Sequence, residues 1–116
     1  MDIYHIYCDL KPGASDLQFV ENIGKYVDYL RGKGLIEGSR ITRAKLGFGV
    51  KGLGDWHIML EVKNLTQLEA AFQHVASRRD PVEGFHFGTN SMVANPTFAL
   101  TRDFPDPVRH HGDELF

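Results

Sequence analysis

Residues 46–63 read LGFGVKGLGDWHIMLEVK, and the fold turns on whether their glycines open a helix or close a hairpin. Gly47, Gly49 and Gly52 match the dinucleotide-binding spacing G-x-G-x-x-G. That spacing holds a phosphate only where the glycines follow a strand and lead into a helix, whose free N–H groups and positive end meet the anion. Here they lead into WHIMLEVK, whose nearly clean alternation is the signature of a strand. Nor does a lysine follow Gly52, as a Walker sequence requires; Leu53 stands there. The glycines therefore read as a freely bending connection between two strands. Such a loop can still fold over a pocket as a flap, with Lys51 able to reach an anion.

Working outward, residues 3–10 are rich in β-branched and aromatic side chains and end at the turn signal Lys11-Pro12-Gly13, which predicts a first strand. Ser15 offers an N-cap with Asp16 in the first turn. Leu17, Val20, Ile23, Val27 and Leu30 then follow at three- and four-residue steps up to Gly32 and Gly34, predicting a helix with that stripe buried. Residues 39–48 read as the second strand and 56–63 as the third. Asn64 can cap a second helix whose Leu65, Leu68, Phe72, Val75 and Ala76 form one stripe. Arg78-Arg79 complement its dipole and Pro81 forbids much continuation. Residues 82–95 carry no dominant period, so a short helix and an irregular loop both fit. Residues 97–102 read as the last strand.

The order β-α-β-β-α-β predicts the ferredoxin-like α+β fold: a four-stranded antiparallel sheet, order 4-1-3-2, with two helices on one face. One domain over residues 1–103 and a tail over 104–116, whose Pro105 and Pro107 prevent regular structure, account for the chain. The other sheet face is left bare, and a second copy of so small a protein can cover it, so a homodimer is expected.

At 116 residues the chain suits one domain with its own core. Its apolar content of 42%, charged content of 24% and net charge of −2 are close to soluble globular averages. The 13 basic residues are scattered among 15 acidic ones, which argues against nucleic acid as a partner. No apolar run approaches the roughly 20 residues of a membrane span. The start, MDIYHIYCDL, has no pattern of a secretory signal, so a cytoplasmic location is expected. Cys8 is the only cysteine; it cannot form an internal disulfide, and its apolar surroundings suit a buried hydrophobe better than a nucleophile.

The histidines carry more chemistry. Alternation puts Tyr4, Ile6, Cys8 and Leu10 on one face of the first strand and Ile3, His5, Tyr7 and Asp9 on the other. In the neighbouring third strand Ile58, Leu60 and Val62 oppose His57, Met59 and Glu61. His5, Tyr7, His57 and Glu61 can thus share a face, as a wet surface, as acid–base groups, or as a divalent-metal site made of His5, His57 and Glu61. Against a metal, close His or Cys pairs are missing. His86, between Phe85 and Phe87, reads equally as a surface loop histidine and as a general base whose apolar company favours the neutral imidazole. His74 points away from its helix stripe, toward solvent, and His110 and His111 fall in the tail.

The stretches YHIYCDLKPGASD, DWHIMLEVKNL and TFALTRDFPD resemble the dimeric α+β barrel superfamily, and nearly the whole chain resembles an uncharacterised bacterial group of ferredoxin-like proteins. That resemblance implies two sheets packed together in a dimer, with a ligand cavity between each sheet and its helices. The superfamily includes stress-responsive proteins, cofactor-free monooxygenases, haem-degrading enzymes and polyketide cyclases, so it implies no single reaction. The plant cyclases are similar in carrying histidines matched by His5, His57 and His86, the last as general base; the tyrosine they carry just before that base has no counterpart between Pro81 and Phe85. The leading expectation is binding of a small organic molecule, with His86 as general base if there is chemistry, His57 and His5 as its catalytic companions, Tyr7, Met59 and Glu61 contacting the molecule, and no organic cofactor implied. The alternative is a non-catalytic, stress-associated protein that uses the same groups for recognition alone.

Overall fold

In the computed structural model residues 1–112 are described; the last four residues of the expected tail, 113–116, lie outside them. The described residues form β1 (Asp2–Leu10), α1 (Asp16–Gly32), β2 (Gly38–Arg43), β3 (Trp56–Val62), α2 (Leu65–Ala76), α3 (Val82–Asn90) and β4 (Val93–Arg102). The strands make one antiparallel sheet in the order β2-β3-β1-β4. This is the ferredoxin-like arrangement, with a third helix added.

Both long helices begin where their caps place them. Ser15 accepts a hydrogen bond from the Gln18 N–H and Asn64 from the Gln67 N–H, each satisfying a donor that the first turn leaves free. The buried faces differ from the periodic reading. In α1 the inward residues are Phe19, Ile23, Val27 and Leu30, whereas Leu17 is 80% exposed. In α2 they are Leu68 and Ala71, with Leu65 and Phe72 half exposed. Phe19 meets the edge of Trp56 at 5.2 Å between ring centroids, joining α1 to β3 beneath the core.

The second strand is shorter than the predicted 39–48. It stops at Arg43, because Leu46 (φ 55°) and Gly47 (φ 78°) turn left-handed and leave the sheet. The connection to β3 is built from turns, in which Phe48 N–H bonds Lys45 O and Leu53 N–H bonds Val50 O. No helix follows the glycines, so the phosphate-binding reading finds no support in the geometry. Besides Gly47 and Gly52, whose φ values of 78° and 86° also favour glycine, the loop requires a further glycine outside the fingerprint. A Cβ at Gly54 would stand 2.7 Å from Cys8 Cα and closer still to its carbonyl group. The loop therefore passes directly against β1 at Cys8, where the pairing of β1 with β4 shifts register between Tyr7 and Asp9.

Residues 82–95, where the sequence left helix and loop open, hold α3 and the start of β4. α3 contains Gly84 and Gly88 and has no side-chain cap, so its own propensity is poor. Tertiary contacts hold it: Asn22 on α1 donates to the Gly88 carbonyl at 3.0 Å, and the Tyr29 ring packs on Phe85 at 5.2 Å. Its placement over α1 leaves a space above the sheet. At the far end of the sheet, Arg102 clamps buried Asp2 with two hydrogen bonds, at 2.6 and 3.1 Å, tying the end of β4 to the start of β1.

Candidate functional site

All helices lie over one face of the sheet, and between that face and the helices opens a cavity of about 620 Å³. Its floor is Tyr4, Ile6, Cys8, Ile58 and Leu60, from the inward sets that alternation predicts for β1 and β3, with Phe98 of β4 beside them. The walls from α1 and α2 are almost wholly apolar. Polar groups gather along α3, which presents Glu83, His86, Phe87 and Asn90 to the space, and at Arg78 just past α2. The first four fall at steps of three, one and three residues, one stripe of a helix.

His86 is half-buried and stands edge-on to the Tyr26 ring at 6.2 Å. Tyr26, also in the lining, has its phenol pushed up to about 12, by burial first and then by the nearby Glu83 carboxylate. It stays protonated at physiological pH and can donate a hydrogen bond. Burial pushes the Cys8 thiol up to about 11, with Asp9 adding to it, so Cys8 is no nucleophile at neutral pH. Thr89, also in the lining, has its Oγ1 buried without a hydrogen-bond partner among the described residues.

The remaining sequence candidates sit on the opposite face. His5 Nδ1 is 2.8 Å from His57 Nε2, and His5 Nε2 is 2.7 Å from Thr101 Oγ1. Tyr7, paired directly with His57 across the strands, stacks on its ring at 4.1 Å. Met59 and Glu61 share this face by alternation, with the Glu61 carboxylate lying over Gly38 of the edge strand. The sheet thus separates His86 from His5, His57 and Tyr7. A single constellation of all four is not formed, because β-strand alternation sends the inward and outward sets to opposite sides and the helices cover only one. The divalent-metal reading of His5, His57 and Glu61 also finds no cluster: among the described residues no three metal-ligating side chains come together, and the two imidazoles bond each other instead. His74, expected in solvent, is half-buried and bonded to the Tyr29 hydroxyl at 2.7 Å, joining α2 to α1.

The His5–His57 bond needs one N–H between the two facing nitrogens, and a second would clash with it. Burial, and secondarily the charge on His5, lower the pKa of His57. A histidine whose folded-state pKa is depressed stays neutral in the native protein while the unfolded chain takes up the proton. Its contribution is therefore present above the ordinary histidine value of about 6.5 and lost as pH falls through it. Asp2, held below the usual carboxylate range first by its hydrogen bond from Arg102, adds a second loss at lower pH, as its carboxylate is forced to protonate. Urea midpoints are expected to fall from pH 8 to pH 5, and His57→Phe should flatten the profile above pH 5. A midpoint that rises on acidification would contradict the depressed His57.

The profile of one protein family matches residues 1–116, the whole chain. The chain belongs to the family of unknown function DUF6614. No protein in the curated comparison matches it. Among solved structures, DUF6614 as represented by this chain is similar to the Arabidopsis thaliana protein At3g17210, at a TM-score of 0.67 and 10% identity over 89% of this chain and 95% of that one. It is similar to a dimeric ferredoxin-like protein of unknown function from Jannaschia sp. CCS1, at a TM-score of 0.64 and 9% identity over 89% and 100% of the two chains. A Bordetella bronchiseptica protein provisionally named an antibiotic biosynthesis monooxygenase matches at 0.61 and 10% identity over 88% and 96%. At these identities the likeness establishes the ferredoxin-like fold and no activity. No helix among the described residues is long and apolar enough to cross a membrane.

Proposed function

We propose that this DUF6614 protein is a cytoplasmic homodimer in which each protomer holds one small, largely apolar organic molecule in the cavity between sheet and helices. The observation that carries this is the cavity itself: about 620 Å³, apolar on floor and most walls, with its polar groups confined to one side. That size and distribution match small-molecule sites, which run to about 300–1,000 Å³ and use a few polar groups to orient an apolar guest. His86 is the one histidine in the lining among the described residues. Histidine is the side chain suited to proton exchange near neutral pH, which makes His86 the general base for cofactor-free chemistry on a bound carbonyl or phenol, with the Tyr26 hydroxyl as donor. His5, His57 and Tyr7, on the far side of the sheet, serve the contact between protomers in this reading.

Small aromatic and aliphatic compounds screened by thermal shift test the proposal. A ligand at about 100 times its Kd adds about 2.7 kcal/mol to the native state, a rise of several degrees for a chain of this size. Ala76, exposed at the end of α2 and in the cavity lining, offers a place to plug the space without disturbing the core. Ala76→Trp is expected to abolish the shifts while leaving the melting of the free protein close to wild type. A broad panel that shifts nothing would sink the proposal.

A further inference from the structure

We infer that the molecule this cavity accepts is an amphipathic acid, an apolar body carrying an anionic head that meets the guanidinium of Arg78. This rests on the small-molecule reading above and narrows it. Arg78 lines the cavity and is exposed at its rim. Its backbone is left-handed, with φ 54°, immediately after the C-cap Ser77 of α2. That is the position where helices favour glycine, since any Cβ there crowds the backbone. An arginine at this point carries a conformational cost that glycine would avoid. No contact within the protein accounts for it: among the described residues no ion pair or side-chain hydrogen bond engages the guanidinium, whereas Arg43 and Arg102 each bind an aspartate.

The surroundings narrow the chemistry further. A planar guanidinium at the rim of an apolar cavity matches a carboxylate or comparable oxyanion through two parallel hydrogen bonds, and the low polarity of the walls strengthens such bonds. Glu83, the one carboxylate in the lining, is close enough to Tyr26 for its charge to add to the burial that raises that phenol's pKa. It sits beside a hydrogen-bond donor and is left without an ion pair to Arg78. The head of the ligand is therefore placed at the end of α2, and the apolar body runs inward over Tyr4 and Phe98, whose rings stack at 6.0 Å.

Binding of 2-naphthylacetate and its neutral isostere 2-naphthylacetamide, measured by calorimetry at low ionic strength, separates the possibilities. Wild type is expected to bind the acid about tenfold more tightly, the scale of a charge-assisted hydrogen bond. Arg78→Gly suits the left-handed backbone, so it should melt no lower than wild type, keep its affinity for the amide and lose the preference for the acid. Arg78→Gln, a shorter neutral side chain that keeps the backbone cost but not the charge, should lose the preference as well. Equal binding of acid and amide by wild type, or a preference that survives in Arg78→Gly, overturns the inference and leaves the cavity reading standing. If neither compound binds, the inference is overturned, and the cavity reading falls with it only if the broad thermal-shift panel also shifts nothing.

Discussion

Phe19→Ala is expected to lower the free energy of unfolding by about 3–5 kcal/mol, the usual cost of deleting a buried aromatic ring. Against the roughly 5–15 kcal/mol available to a domain of this kind, that is a large share. Phe19 is fully buried, and its ring packs edge-on against Trp56 between α1 and β3. Its loss removes apolar burial and widens a space that is already open, because Phe19 also lines the cavity. Leu17→Ala, two residues earlier and 80% exposed, should change stability by no more than about 0.5 kcal/mol. Urea unfolding of both variants decides the matter, with a shifted midpoint and an unchanged slope in the first. A larger effect at Leu17 than at Phe19 would mean that α1 presents a different face to the sheet.

That pair of residues shows where the sequence stops being legible. A stripe through Leu17, Val20, Ile23, Val27 and Leu30 and one through Phe19, Ile23, Val27 and Leu30 share three members, so periodicity alone cannot choose between them. The choice is made at the first turn, where the chain leaves its Ser15 cap and only Phe19 reaches Trp56. Strand alternation was more informative. It has no competing period, and it brings His5, Tyr7 and His57 to one face and Tyr4, Ile6 and Cys8 to the other, as the structure has them. It carries no signal for which face the helices cover, and this is why His86 could be grouped with histidines that lie across the sheet from it. α3 was hidden for a different reason: VEGFHFGTN has two glycines and no cap, and its helix depends on contacts with α1 some sixty residues earlier. Glu83 and Asn90 gain their place beside His86 only once that helix exists. Arg78 reads from the sequence as a dipole partner of α2, because its left-handed backbone leaves no mark in composition or spacing.

Ala99→Glu is expected to leave the protomer folded and to weaken the proposed homodimer by two to three orders of magnitude. Ala99 lies opposite His5 on the helix-free face and is exposed in the single chain, so a longer side chain there meets only water. Along the same strand and face stand Thr97 and Thr101, small side chains that let a second sheet approach closely. In a dimer built on this face the new carboxylate would be buried, and a two-fold interface would bury it twice. An uncompensated buried charge costs about 3–5 kcal/mol, which for one copy is roughly two to three and a half orders of magnitude in Kd, so two to three orders is the least that burying it twice should cost. The comparison belongs at pH 8, above the ordinary histidine range, since an imidazolium at His5 or His57 would pair with the introduced Glu and offset the loss. The rival surface is the hairpin loop, where Leu46, Phe48 and Val50 are 88%, 83% and 65% exposed. Sedimentation equilibrium at micromolar concentration distinguishes the two. Dissociation by Ala99→Glu with a dimer retained in Phe48→Asp places the contact on the histidine face, where it seals His5 and His57 from solvent. The reverse result moves the contact to the loop, leaves the imidazole pair open to water, and removes the reason to assign it to assembly.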